Sequence, residues 1–215
     1  MNWIKEFTVF GKYNNMKRYD LINFLIEKFK YKTYLEIGLD AGECFRNIRC
    51  ETKISVDPAE GKYAHANPTH RMTSDNFFKN NLQKFDMIFI DGLHQAYQVE
   101  KDIQNSVQSL SENGTIVLHD ANPETELCQL IPRQSEYWLG DTWKAIVKYR
   151  STNSNPGCKV LRLMPNEEDC GIIKHNINSE FKLTLPDELT YSWLEKNRNE
   201  AIGLVTNVNE FLNNL

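Results

Sequence analysis

The stretch that decides the fold is YLEIGLDAGECF, residues 34–45. A short apolar run carries an acid, Glu36, and stops at Gly38; a second glycine, Gly42, follows four residues later. This reads as a buried strand that breaks into a tight turn and re-enters as a helix, because glycine takes turn geometry without steric cost. Two uses fit such a turn. It can seat a nucleotide-containing cofactor, or it can simply join strand to helix. The flanking segments decide between them.

Working outward, residues 16–30 place Leu21, Ile22, Leu25, Ile26 and Phe29 on one face of an amphipathic helix. Strands are expected at 33–38 and 53–58, the second stopped by Pro58, with a helix over 42–48 between them. Residues 59–72 read as a loop holding a weak third strand near Met72. A helix over 74–82 has Ser74 or Asp75 as its N-cap. The apolar run Met87–Ile90 in KFDMIFIDG suits a strand covered on both faces. A helix at 95–110, a buried strand at 114–120 and a helix at 141–150 follow. CKVLRLM and CGIIKH form two closing strands around the turn-like PNEED, and helices near 190–201 and 207–213 end the chain. Alternating strands and helices predict a doubly wound, mostly parallel α/β sheet with helices on both faces. The chain is read as a single domain over 1–215: an N-terminal helical segment at 1–30, an α/β core at 31–175 and C-terminal helices at 176–215.

Composition narrows the class. Apolar residues make up 40% and charged residues 25%, which is globular rather than disordered. A net charge of −4 speaks against a general nucleic-acid binder. The first 32 residues carry seven Lys and Arg against three acids, a basic excess read as a solvated helix face. The five cysteines have no C-x-x-C spacing, which fits reduced thiols in a cytoplasmic protein. No stretch approaches the roughly 18 apolar residues of a membrane span.

The acids then become informative. Glu36 lies in the first strand, while Asp57, Asp91 and Asp120 end later ones. In an open α/β sheet those ends share one rim, where ligands bind. Repulsion among several carboxylates calls for a compensating ligand. Asp57 lies 21 residues after Glu36, near the spacing of a ribose-binding acid. Yet Asp40 and Glu43 stand where a pyrophosphate would dock, which disfavours NAD. The loop suits an adenosine cofactor with no phosphate and a positive centre.

The motifs E-x-G-x-x-x-G, ISVDP, FDMIFIDGLH and GTIVLHD, in that order, resemble the class I S-adenosylmethionine-dependent methyltransferases. IDGLHQAYQVEKDI and GDTWK are similar to the bacterial O-methyltransferase-like proteins of the "methyltransferase 24" type. The resemblance spans about residues 31–175 and implies a Rossmann-like sheet of seven strands binding S-adenosylmethionine. It places Glu36 and the backbone at Gly38 beside the methionine end of the cofactor, with Gly42 letting the next helix approach. It puts Asp57 on the ribose, Ser74 and Asp75 near the adenine, and Asp91 also at the cofactor. Cys44 stands where related catechol-type enzymes have Ser or Thr, and reads as a small buried residue.

Methyl transfer to a hydroxyl also needs the acceptor's proton removed, by a base or by a divalent metal. The resemblance gives Asp91 and Asp120 as ligands for Mg²⁺ or Mn²⁺, but the usual second acid after the fifth strand is replaced by Ala121, with Asn122 or His94 as substitutes. Asp91, His94 and Asp120 are therefore the catalytic candidates, with His94 favoured as the base. His119 is read as pointing away from Asp120 across the pleat. Tyr97 is expected to line the pocket; Trp138, Trp143 and Lys144 are read either as acceptor pocket or as packing. The resulting expectation is an O-methyltransferase for a sugar, glycan or other small hydroxylated acceptor, with no nucleic-acid partner and a homo-oligomer left open. A catalytically inactive cofactor-binding protein and an NAD-linked oxidoreductase or epimerase are the alternatives.

Overall fold

The computed structural model describes residues 16–61, 64–152, 156–164 and 168–215. The start of the basic N-terminal segment and the first residues of the PNEED turn lie outside these. Six strands form one sheet: β1 (Thr33–Ile37), β2 (Thr52–Val56), β3 (Phe85–Ile90), β4 (Leu110–His119), β5 (Gly157–Met164) and β6 (Glu168–Lys174). Their order is β2-β1-β3-β4-β6-β5. The first four run parallel, and β6 inserts antiparallel between β4 and β5.

The expected seventh strand is not formed among the described residues. Near Met72 the chain makes only an isolated bridge, Val56 to His70. Thr73 then caps α3 (Ser74–Asn80) by accepting from the Asn76 N–H at 3.3 Å, which turns the backbone away from the edge. The cap is thus Thr73, not Ser74 or Asp75.

Period-two alternation sorts the sheet's side chains into two cores. Leu35, Ile37, Ile88, Ile90, Ile116 and Leu118 face one layer, which includes α4 (Ala96–Ser109), α6 (Thr142–Ser151) and α7 (Tyr191–Ala201). Tyr34, Met87, Phe89 and Val117 face the other, against α1 (Arg18–Phe29), α2 (Glu43–Asn47) and α8 (Val208–Asn214). Both faces of β3 are therefore covered, as its unbroken apolar run required. The short α5 (Glu126–Gln129), in the long connection after β4, carries no periodic signal.

Arg150 ties the C-terminal segment down. It is 1% exposed and donates to Ala201 O, Glu200 O and Ser179 Oγ, each at 3.1 Å, and also to Cys158 O.

Candidate active site

The strand order reverses between β1 and β3. From β1 the chain moves outward to β2, then returns to the other side as β3. The crevice beyond the carboxyl ends of β1 and β3 is the switch point of the sheet. Gly38 sits there with φ +86, and a Cβ on it would lie 2.0 Å from the Asp91 carbonyl oxygen. Its N–H donates to Val56 O at 2.9 Å, while the Asp91 N–H donates to Ile37 O at 2.8 Å. Glycine at 38 thus lets three strand ends close on one another.

Glu36 is 1% exposed, on the face covered by α1 and α2, and accepts a very short hydrogen bond from the Tyr34 hydroxyl. Burial raises its pKa to about 8, so it carries a proton at neutral pH. The Tyr34 hydroxyl lies 3.8 Å from Cys44 Sγ. Burial drives the Cys44 thiol far above its ordinary range, which excludes it as a nucleophile. Asp57 stands at the rim; its Oδ2 accepts from Leu39 N at 2.8 Å and its Oδ1 from Ala59 N at 2.5 Å.

Past β3 and β4 four ionisable groups meet. Asp91 Oδ1 lies 3.0 Å from His94 Nε2 and 3.2 Å from His119 Nδ1. Asp120 completes the ring, with Oδ2 at 2.9 Å from His94 Nδ1 and Oδ1 at 3.2 Å from His119 Nδ1. The pleat predicts that His119 points away from Asp120, and it does not. The register pairs Ile90 with Leu118, so Asp91 and His119 are the next neighbours across the ladder. Asp120 takes φ +54, which breaks the pleat and folds its carboxylate back onto His119.

Burial alone would discharge these groups, but their mutual attraction outweighs it. His94 is raised to about 9 by hydrogen bonds and charge from Asp120 and Asp91, and His119 is pushed well above the ordinary imidazole range by the same pair. Both aspartates are held well below the usual carboxylate range by the two histidines. At neutral pH the cluster holds two carboxylates and two imidazolium ions.

The segment GDTWK (140–144) fixes the His94 loop. His94 has φ +56. Its carbonyl accepts from the Asp141 N–H at 3.1 Å, and Asp141 Oδ1 accepts from the Ala96 N–H at 2.7 Å. A Cβ at Gly140 would lie 1.9 Å from His94 O. Trp138 stacks on the His94 ring, 5.7 Å between centroids and 18° from parallel. Trp143, by contrast, is fully buried and donates to Gln129 Oε1, so it packs the core. Lys144 pairs with Asp141 at 3.4 Å.

Several expected residues lie apart from the ring. Asn122 is buried and its Oδ1 accepts from Arg198 Nη1 at 2.6 Å, so it is no substitute ligand. Ser74 Oγ and Asp75 Oδ1 accept from Gln98 Nε2 of α4 at 3.3 and 2.9 Å, and Asp75 also pairs with Lys101 at 3.2 Å. Tyr97 is 57% exposed. Sequence reasoning missed Asp102, 1% exposed under Gly92 and raised to about 6 by burial; an acid inside an amphipathic helix gives no distinguishing signal.

The donor set suits a divalent cation. Ligand atoms of Asp91, His94 and Asp120 all lie within 4.8 Å of one another. Carboxylate oxygens favour Mg²⁺, and the imidazole widens the choice to Mn²⁺. A groove of about 640 Å³ lies elsewhere, between residues 175–182 and 204–215, and contains none of these groups.

Comparison with known proteins bears on the fold. Residues 35–121 match the model of a methyltransferase-domain family. That match covers 87 of the chain's 215 residues. It runs from β1 to the residue after Asp120, and so includes the strand-end acids, both histidines and the glycine loop. Several solved structures share the fold. A candidate O-methyltransferase from Klebsiella pneumoniae aligns with TM-score 0.55 and 13% identity, over 73% of this chain and 79% of that one. The O-methyltransferase TomG of Streptomyces achromogenes, solved with SAM, gives 0.53 and 12% over 73% and 78%. A Bacillus cereus O-methyltransferase solved with SAH gives 0.52 and 13% over 72% and 79%. The sheet, with six described strands, has the fold of these three structures. No curated protein matches the chain. Among the described residues no helix is long and apolar enough to cross a membrane.

Proposed function

We propose that the chain is an S-adenosylmethionine-dependent O-methyltransferase acting on a sugar or another small hydroxylated metabolite. The observation that carries the reading is the ring of Asp91, His94, Asp120 and His119 at the switch point, directly beyond Gly38. The bound cofactor would supply an electrophilic methyl group. Glu36 and the backbone at Gly38 would meet its methionine end, and Gly42 would let α2 approach. Ser74 and Asp75 would border the adenine. Asp57 would hold the ribose, since each of its oxygens keeps a second lone pair for a hydroxyl donor. The rim suits a cationic sulfonium, because Asp57, Asp91 and Asp120 line it.

His94 is the base in this reading. Its ring bridges two ionised carboxylates, which orient it and hold it protonated up to about pH 9. Turnover should therefore rise with pH towards that value, as the imidazole loses its proton. Asp91 and Asp120 would alternatively hold Mg²⁺ or Mn²⁺, which lowers the pKa of a coordinated hydroxyl. The base is favoured because position 121 is Ala and Asn122 is committed to Arg198. All five cysteines are free, which supports the cytoplasm as the compartment.

The test is turnover of hydroxylated acceptors with S-adenosylmethionine, with and without chelator. His94→Ala should cost on the order of 10²–10⁴-fold while chelator does little. Chelator-sensitive turnover restored by Mg²⁺ or Mn²⁺ refutes the base in favour of the metal. Calorimetric binding of NAD, with none of either S-adenosyl compound, refutes the cofactor assignment.

A further inference from the structure

We propose that the groove beside β5 is a binding site for a neutral saccharide, separate from the methyl-transfer site. The inference goes beyond the S-adenosylmethionine reading and does not depend on it. β5 is an edge strand of the sheet. The segment after α7 runs along its open side: the Val160 N–H donates to Gly203 O at 3.2 Å, and the Val205 N–H donates to Val160 O at 2.9 Å. The groove of about 640 Å³ lies between this segment and residues 175–182. A second groove of about 470 Å³, lined by Arg162 and Asn209, joins it at residues 204–207. Each falls within the roughly 300–1,000 Å³ of small-ligand sites. Lys174, which leads into the 175–182 wall, pairs with Thr115, whereas His119 pairs with Cys170. That wall therefore starts at the end of the sheet opposite the quartet.

The lining determines the ligand class. His175 aside, Lys159, Lys182 and Arg162 are matched by Glu180, Glu200 and Glu210, so the formal charges balance. Several are already paired: Lys182 lies 3.3 Å from Glu180, Arg162 lies 3.7 Å from Glu124, and Glu210 Oε2 accepts from Asn207 Nδ2 at 3.2 Å. A phosphorylated ligand or a polycation would meet no surplus of opposite charge. Side-chain amides are prominent in the rest of the lining: Asn176, Asn178, Asn207 and Asn214 in the larger groove, Asn209 in the smaller. An amide offers donors and an acceptor side by side, and a sugar hydroxyl both donates and accepts. Asn209 Oδ1 is buried without a donor among the described residues, a cost that a ligand hydroxyl would relieve. Phe211 and Leu204 supply apolar surface for the C–H face of a sugar ring. Arg150 holds the walls together, since its guanidinium donates to Cys158 O on β5, to Ser179 Oγ and to Glu200 O. A groove set before binding loses less on ordering.

The test is amide NMR on the full chain, titrated with maltotriose, cellotriose and N,N′-diacetylchitobiose, all neutral. At least one should give saturable shifts in residues 175–182 and 204–214 and leave the Asp91–His94 loop unmoved. Asn214→Ala should weaken that sugar about 2–10-fold. Asn176→Gly, which tolerates the left-handed φ of +70, should do the same. Both residues are exposed, and Thr206→Val, equally exposed, serves if either variant does not fold. Glucose 6-phosphate should bind no more tightly than glucose. Saturation by none of the three sugars overturns the proposal, as do shifts centred on the Asp91–His94 loop or variants that bind as wild type does. A clear preference for glucose 6-phosphate over glucose overturns the neutral class. S-adenosylhomocysteine binding in the same samples reports on the cofactor reading separately.

Discussion

Replacing Gly140 by alanine should disable the site without touching any of its ionisable groups. Gly140 has φ +63, and an alanine Cβ there would sit 1.9 Å from the carbonyl oxygen of His94. Left-handed backbone costs a non-glycine residue about 1–2 kcal/mol, and forced overpacking adds about 1–3 kcal/mol. The variant should therefore lose roughly 2–5 kcal/mol of stability if nothing relaxes. The clash is with backbone, so no rotamer change relieves it. Relief means moving the His94 loop by more than an ångström, which also breaks the Asp141 N–H to His94 O bond of 3.1 Å.

That movement pulls the His94 ring from contacts of 3.0 and 2.9 Å to its two carboxylates. A misplacement of about 1 Å can cost about 10²-fold in rate. Gly61→Ala is the control, because φ there is +58 but nothing lies within 4 Å of an added Cβ. It should show the backbone strain alone and keep full turnover. Urea unfolding gives the stability difference, and the imidazole signals of His94 followed by NMR give the site's response independently of any substrate. In Gly140→Ala the His94 pKa should drop from about 9 towards its ordinary 6.5. A Gly140→Ala protein with the His94 titration and turnover of wild type would refute the clamp. Equal damage from Gly61→Ala would reduce it to backbone strain.

Glu36→Gln should stabilise the fold at alkaline pH. Burial raises Glu36 from 4.5 to about 8, so the stability held by its protonated form is full below 4.5 and drains as pH rises through 8. The wild-type slope should reach about 1.4 kcal/mol per pH unit between those values and be shallower in the variant, as read by urea unfolding at stepped pH. Asp57→Ala should fold normally yet weaken S-adenosylhomocysteine by about 1.5–3 kcal/mol for each hydrogen bond to the ribose that it removes, and unchanged affinity by calorimetry takes Asp57 out of the site. Arg150→Leu should cost roughly 3–5 kcal/mol in thermal or urea unfolding, because buried carbonyls on Cys158, Glu200 and Ala201 are left without their donor.

Much of this is legible in the sequence because strand ends are. The apolar runs fix β1, β3 and β4, and the residue that follows a buried run must emerge at the rim, so Asp91 and Asp120 follow from position alone. His119 defeats the same logic: alternation is a rule for regular strands, and the positive φ of Asp120 ends the regularity at that step. The weak strand near Met72 fails because one backbone bridge at His70 needs no pattern, while the cap at Thr73 is a local choice between adjacent hydroxyls. The connection from 121 to 141 is opaque. Its contributions, Trp138 stacked on His94 and Gly140 beneath the His94 carbonyl, are contacts between segments more than 40 residues apart.

The quartet itself argues for use rather than stability. Each of its side chains is only 12–18% exposed. Burying ion pairs rarely gains over apolar packing of the same volume, since desolvation offsets the attraction. Its geometry also rests on His94 and Asp120 in left-handed backbone, which a non-glycine residue adopts at a cost of about 1–2 kcal/mol each. Both costs fall on the loops that end β3 and β4, while the apolar layers on either side carry no such compromise. Once one imidazolium has lost its proton, the assembly can take a proton from an incoming hydroxyl and so return to zero net charge. A purely structural ion pair has no need of that capacity, and an acceptor hydroxyl beside a sulfonium does.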